Sequence, residues 1–432
     1  YEKKIKSNFL NEPSFESGSP HTTCSALTNK TTKKSRNTPS WLNLELLETI
    51  MRKTENDNSI RVFNMFTKPA TAKGDNYTSD MYRVSIEISC KRGNQEVTKK
   101  KSLVVKIAPT GENIKRELVE QIYLNDRRSE IFHTEISMMM DTLKKMNNLL
   151  GPAHPVSGRV FYIQKEHPEF LVMEDLVPLG FRMADRQAGL DLSHCLLAMR
   201  GLARFHASSV AIFRNSRGSN QILCVINLCK WIHRYAEKVD KLAEKIYDKA
   251  VEVSRCREDE FNVINHGDFW VNNMMFRYNE EGKPIDHIFV DFQMCVYGSP
   301  ANDLQYFLNT SADNDVYENN KDMLLEEYLF TLSSMMKQFD CKTVPPSMEK
   351  LRKALKEHEF LALTSTFTIL PLVLLDKNEA KDLEEIMGKD EAKWNGNLYK
   401  ASMILVNEKN ERIKIRKKKK KKKKNPHIHT HI

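Results

Sequence analysis

Residues 264–278 read INHGDFWVNNMMFRY. His266, Asp268 and Asn273 stand among Ile264, Phe269, Trp270, Val271, Met274, Met275 and Phe276, side chains suited to burial. Burying a polar group without a partner costs roughly 2–7 kcal/mol, so three of them in such a segment call for a use. The plain alternative is a buried polar turn, with His266 satisfied by backbone alone. The flanking sequence decides between the two.

Two short strands follow from the pattern, NMMFRY (273–278) and IDHIFVDF (285–292), joined as a hairpin by the turn NEEGKP. Antiparallel pairing brings Asn273, which opens the first strand, and Asp291, near the end of the second, to the same end. An amide oxygen beside a carboxylate gives hard ligands suited to Mg²⁺. Asp268, on the loop before Asn273, can reach the same cavity. One carboxylate to accept or orient a hydroxyl, and two oxygen ligands to hold metal on ATP, is what phosphoryl transfer needs.

Outward from this core the chain divides in two. WLNLELLETIMRK, from Trp41, puts Leu42, Leu44, Leu47 and Ile50 on one helical face, with Ser40 as N-cap. MYRVSIEISC (81–90) alternates as a strand, and KSLVVKIAP (101–109) is a second, reached through a turn at Gly93. SEIFHTEISMMMDTLKKM (129–146) reads as a helix. RVFYIQ and FLVMEDL form a hairpin across residues 165–169. The remainder is mostly helical: 190–209 with Asp191 as cap, then 227–260, 318–340 and 347–375. These patterns predict a small α+β lobe over 41–176 and a helical lobe over 177–410. Residues 1–40, rich in Ser, Thr, Asn, Lys and Pro, are expected to be disordered.

The net charge of +10 is set largely by Lys417–Lys424, an unbroken run of eight lysines, without which the body carries +2. That balance does not argue for nucleic-acid binding. The run and the NPHIHTHI after it, within 411–432, read as a disordered or artefactual tail. The eight cysteines are scattered, with no CxxC and no zinc spacing, which points to a reduced, cytoplasmic protein. No hydrophobic signal segment opens the chain, and its start at Tyr1 suggests an incomplete or processed terminus. The longest apolar run, Phe360–Leu375, is 16 residues with Pro371 inside it, short of a bilayer span. No membrane partner is expected, and the working state is taken as a monomer.

HGDFWVNN (266–273) followed by FVDFQ (289–293) resembles the catalytic core of the aminoglycoside phosphotransferase and choline kinase group. Trp270, the doubled Asn272-Asn273, Gln293 and LVMEDLVPLGFRMADRQAGLDLSHC (171–195) narrow the likeness to the insect ecdysteroid kinase-like, or CHK kinase-like, family. The resemblance covers residues 41 to about 406. It implies an α+β, bilobed, protein-kinase-like fold that uses ATP and Mg²⁺. By that likeness Asp268 is the catalytic base, Asn273 and Asp291 bind magnesium, and Asp303 in GSPANDLQYF braces the catalytic loop. Gly267 stands where protein kinases carry Arg. Lys106 in LVVKIAP matches the strand lysine that contacts the ATP phosphates, where a point charge neutralises their oxygens. Taken alone, a strand lysine is more often a solvated edge residue. Glu135 would pair with Lys106, and Glu130 competes for that place. GDNYTSDMYR (74–83) has no GxGxxG, yet resembles the family's phosphate turn, with Asn76, Tyr77 and Ser79 as nucleotide contacts; a plain hairpin turn is the other reading. Residues 173–175, including Glu174 and Asp175, match the hinge against adenine.

The implied acceptor is a hydroxyl on a small, largely apolar molecule, an ecdysteroid or a xenobiotic alcohol. Three rivals stand beside it. A silent ligand-binding protein on this scaffold is disfavoured because every expected residue is present. A protein kinase is disfavoured by Gly267, Gln293 and the lack of an Ala-Pro-Glu element. A choline or ethanolamine kinase would need an aromatic and acidic cage for its cation.

Overall fold

Burial that alternates over residues 82–88, with Tyr82, Val84, Ile86 and Ile88 inward, builds the first layer. The structure, a computed structural model, describes residues 31–33, 38–71, 79–108, 128–213, 252–253 and 256–368. Strands β1 (Thr31–Lys33), β2 (Arg61–Pro69), β3 (Asp80–Arg92), β4 (Gln95–Ile107), β5 (Val160–Gln164) and β6 (Phe170–Glu174) form one sheet, in the order β1-β2-β3-β4-β6-β5. All neighbours are antiparallel except β1 and β2. Inward residues Val84, Ile86, Ile88, Leu103 and Val105 meet Leu47, Ile50 and Met51 of helix α1 (Leu44–Glu55) in a single apolar core. The N-cap of α1 is Asn43, whose side chain accepts from the Leu46 N–H at 2.9 Å, so the expected cap at Ser40 is corrected by three residues. β1 lies within the stretch expected to be disordered and pairs in parallel with Asn64–Phe66.

The helix read over 129–146 is α2 (Arg128–Ser137) running into one turn of π-helix (Met138–Thr142) and then α3 (Leu143–Leu150). The wider turn shifts the phase between α2, which offers Glu135 to the interior, and α3, which buries Leu143, Met146 and Leu150.

The second lobe is built on α4 (Leu192–Phe213), capped by Asp191 through the His194 N–H at 3.0 Å. Around it lie α5 (Ala301–Thr310), α6 (Asn314–Asn319), α7 (Lys321–Gln338), α8 (Met348–Glu357) and α9 (Glu359–Thr368). Two small sheets enter this lobe. β7 (Phe181–Met183), β9 (Met274–Tyr278) and β10 (Pro284–Phe289) form one, and β8 (Val263–Asn265) with β11 (Val296–Gly298) forms the other. The expected hairpin is the β9–β10 pair, with Met274 opposite Phe289. Residues 256–260 form turns. The rest of the helix expected over 227–260 lies almost wholly outside the described residues, as do Asn76, Tyr77, Pro371 and the lysine tail. The architecture is α+β, a sheet lobe and a mostly helical lobe. No helix among the described residues is long and apolar enough to cross a membrane.

One close approach fixes β10 against α4. A Cβ on Gly201 would sit 1.9 Å from Cε1 of the buried His287 ring. Gly201→Ala is therefore expected to cost roughly 1–3 kcal/mol by overpacking, read as a lower melting temperature. Unchanged melting would mean that His287 has room to turn aside.

Candidate active site

The segment 264–278 crosses from β8 through a loop and a 3-10 turn (Val271–Asn273) into β9. Its apolar side chains Ile264, Phe269, Val271, Met274 and Phe276 are fully buried. They anchor both ends and leave the polar groups on the loop between. Gly267 turns the chain at φ +80, in the left-handed region, where a Cβ would meet the Met294 carbonyl oxygen at 1.9 Å. Only glycine fits there.

Asp303, near the start of α5, holds this loop from behind. Its carboxylate accepts from the His266 N–H at 2.6 Å, the Gly267 N–H at 2.9 Å and His206 Nε2 at 3.2 Å. Burial lowers the His206 pKa, so the ring is neutral; Nε2 donates to Asp303 while Nδ1 accepts from the Tyr328 hydroxyl at 2.8 Å. His266 Nε2 faces the Val290 carbonyl at 3.1 Å, and a carbonyl only accepts, so that nitrogen carries the proton. The Val290 N–H in turn donates to the Asn273 carbonyl at 3.0 Å. His266 is thus engaged through both backbone and ring, and the loop is tied to the strand end that carries Asp291.

Asp268, Asn273 and Asp291 come together on this frame. The Asn273 amide donates to the Asp268 backbone oxygen at 2.9 Å and to Asp268 Oδ2 at 2.7 Å. Its protons being spent on Asp268, the amide presents Oδ1 as its acceptor. Burial raises the Asp268 carboxyl above the ordinary aspartate range, and the charge on Asp291 adds to this. Hydrogen bonds from Tyr306 and Asn273 pull the other way.

From the sheet lobe, Lys106 on β4 reaches across the cleft. Its ammonium lies 2.6 Å from Glu135 Oε2 and 2.8 Å from Asp291 Oδ1, and it is 2% exposed. Burial alone would depress its pKa, but the two carboxylates outweigh that and hold it above the usual lysine value. Burial likewise raises Glu135, opposed by Lys106 and by a hydrogen bond from the Phe292 N–H. Glu135 is thus the partner of Lys106; the Glu130 side chain lies outside the described residues. Asp291 adopts φ 67, a left-handed conformation unusual for a residue with a side chain. Such strain persists where surrounding contacts over-determine it; here it sets the carboxylate on Lys106 and the next N–H on Glu135.

The cleft between the lobes measures about 350 Å³ and is lined by Lys106, Glu135, Asn273 and Asp291, with Met173 to Val177 along one edge. Glu174 and Asp175 lie on that edge, but their carboxylates are engaged elsewhere. Asp175 accepts from Arg83 Nε at 2.8 Å and Ser102 Oγ at 2.6 Å, and Glu174 accepts from the Arg159 N–H at 3.1 Å. Ser79 is buried just before β3. Tyr306 is the residue at this site that the sequence reading missed. Its signal was its place three residues after Asp303, on the same helical face.

Among the described residues no three His, Cys, Asp or Glu side chains gather as a metal site. Asn273 Oδ1 and Asp291 could together supply two oxygen ligands. That suits Mg²⁺, which takes one or two protein oxygens and fills its octahedron with phosphates and water.

The crystal structure of choline kinase from Cryptosporidium parvum Iowa II matches with a TM-score of 0.44 at 12% identity, over 89% of this chain and 98% of that one. A putative aminoglycoside phosphotransferase from Ralstonia eutropha JMP134 matches with a TM-score of 0.42 at 13% identity, over 78% and 98%. Plasmodium vivax ethanolamine kinase matches with a TM-score of 0.37 at 12% identity, over 78% and 82%. No curated protein sequence matches. The family pattern described as ecdysteroid kinase-like matches residues 73–224 and 219–341, more than half of the chain, and includes Lys106, Glu135, Asp268, Asn273 and Asp291. The chain belongs to the ecdysteroid kinase-like family.

Proposed function

We propose that this protein is an ATP- and Mg²⁺-dependent phosphotransferase that moves the γ-phosphate to a hydroxyl of a small apolar molecule, an ecdysteroid or a xenobiotic alcohol. The observation that carries the reading is the meeting of Lys106, Asp291 and Asn273 along one cleft, drawn from both lobes, with Asp268 hydrogen-bonded to Asn273 beside them. Membership of the ecdysteroid kinase-like family supports the acceptor class.

In this reading Asp268 orients the acceptor hydroxyl and takes its proton as the oxygen attacks phosphorus. Lys106 neutralises phosphate oxygens and Glu135 keeps the ammonium aimed into the cleft. Asn273 Oδ1 and Asp291 would hold the metal, which would supply positive charge to offset that of the phosphates. Asp291 is bonded to Lys106 at 2.8 Å, so a bound nucleotide would compete with Asp291 for the ammonium. Met173 to Val177 would flank the adenine through backbone groups, and Ser79, with Asn76 and Tyr77, would cap the phosphates. Five free cysteines among the described residues fit a reducing, cytoplasmic setting.

Purified protein is incubated with Mg-ATP and a panel of hydroxylated steroids and other apolar alcohols, and added phosphate is read by mass spectrometry. A phosphate ester on at least one alcohol is expected. Nucleotide binding with no ester on any of them would favour a silent binding protein. Phosphate on protein and on no alcohol would favour a protein kinase.

A further inference from the structure

One turn of α5 grips three successive residues of the loop. Asp303 takes the backbone N–H groups of His266 at 2.6 Å and Gly267 at 2.9 Å. Three positions on, and so on the same helical face, the Tyr306 hydroxyl donates to Asp268 Oδ1 at 2.7 Å. Asn273 holds the other oxygen, Oδ2, at 2.7 Å. A carboxylate is free to swing about its Cβ–Cγ bond, because that torsion has a broad, two-fold profile. A donor on one oxygen alone still leaves a range of tilts. A donor on each oxygen fixes the plane and leaves a lone pair on both for an incoming hydroxyl.

From this we infer that Tyr306 is a positioning residue for phosphoryl transfer: its hydroxyl, opposite the Asn273 amide, locks the Asp268 carboxylate in the orientation that receives the acceptor. The role rests on the phosphotransferase reading above. The ring of Tyr306 is buried in the second lobe while its hydroxyl serves Asp268, so packing and positioning belong to separable parts of one side chain. Asp303 sets where the loop backbone lies, and Tyr306 sets how the side chain on it points.

Tyr306→Phe separates them, since it keeps the ring and removes only the donor. The rate is followed as Mg-ATP hydrolysis with water as acceptor. Misorientation of a reacting group by about 1 Å costs on the order of 100-fold, so kcat should fall by about 10- to 100-fold. The KM for ATP should stay within about twofold, because the lost contact does not touch nucleotide. A role confined to packing would lower the melting temperature and leave this split absent. A second readout does not depend on turnover: the Asp268 carboxyl ¹³C resonance, identified by its loss in Asp268→Asn, should move in Tyr306→Phe while the other aspartate signals stay. An unmoved resonance, or a kcat equal to that of the wild type, overturns the inference. A wild-type protein that transfers phosphate neither to water nor to any alcohol of the panel, but whose Asp268 resonance moves in Tyr306→Phe, would sink the phosphotransferase reading and leave the clamp on Asp268 standing.

Discussion

Asp268→Asn is expected to reduce phosphate transfer by roughly 10²–10⁴-fold, the range that a positioned general base contributes, without weakening Mg-nucleotide binding more than about twofold. The substitution keeps size and shape. An asparagine oxygen can still accept from Asn273, and its amide can donate to a Tyr306 hydroxyl that rotates to accept, so the contacts at 2.7 Å on either side survive in altered polarity. What is lost is the ability to take a proton. Stability should move the other way. Burial raises the Asp268 carboxyl above its ordinary range, with Asp291 adding to the shift. For a carboxyl whose folded pKa lies above its unfolded one, the stabilising contribution is present below the unfolded pKa and is lost as pH rises through the folded value. At neutral pH the raised Asp268 pKa is therefore a cost to the fold, and asparagine removes it. The variant should melt at or above the wild-type temperature at pH 7, with the gap narrowing as pH falls and the wild-type carboxyl takes up its proton. Calorimetric titration with Mg-nucleotide and melting curves across pH check both halves. Retention of a tenth or more of the activity would remove Asp268 from the role of base. A variant that melts well below the wild type would mean that the charge is stabilised by something other than the contacts described.

The parts of this site that could be read from sequence are those whose information is local. β3 alternates, and β4 and the strands of the β9–β10 hairpin are short apolar runs bounded by turn residues, so these strands were legible. Asn273 and Asp291 converge because that pairing brings them to one end, and Asp268 meets Asn273 from the loop. Asp303 and the Lys106–Glu135 pair came through family likeness, and the structure supplies the contacts. Other features depend on partners far along the chain. Asp175 looks like a hinge contact until Arg83 and Ser102, 92 and 73 residues away, claim its carboxylate. Tyr306 meets Asp268 across 38 residues, and nothing in DLQY alone says which loop that helical face will touch. β2 passed unread because its register slips between Val62 and Asn64, which breaks the alternation by which a strand is recognised. β7, β8 and β11 are three residues each, too short to show a period. At the start of α1, Ser40 and Asn43 are both good caps, and the choice fell to the one whose oxygen reaches an N–H three residues on.

Gly267→Ala is the second change expected to have a large effect, and it tests the frame rather than the chemistry. At φ +80 an L side chain costs about 1–2 kcal/mol. Here the Cβ would also press to 1.9 Å from the Met294 carbonyl oxygen and 2.8 Å from its carbon. These are backbone atoms of the turn that follows Asp291 and cannot rotate away, so overpacking adds roughly 1–3 kcal/mol. The loop and that turn have to separate. Moving the loop draws the Gly267 N–H off Asp303, whose other donors, the His266 N–H and His206, share the same carboxylate. Moving the turn pulls on Val290, held by His266 on one side and Asn273 on the other. The strain thus falls on the groups that bring Asp268, Asn273 and Asp291 together. A stability loss of roughly 2–5 kcal/mol is expected, seen in urea melts. Turnover measured where the variant is still folded should fall by more than its unfolded fraction explains. Arginine, the residue at the corresponding place in protein kinases, would meet the same backbone with a far larger side chain, so Gly267→Arg should not fold to this loop geometry at all. Wild-type melting together with wild-type turnover for Gly267→Ala would show that loop and turn can part freely, and that the meeting of the three groups does not depend on their close approach.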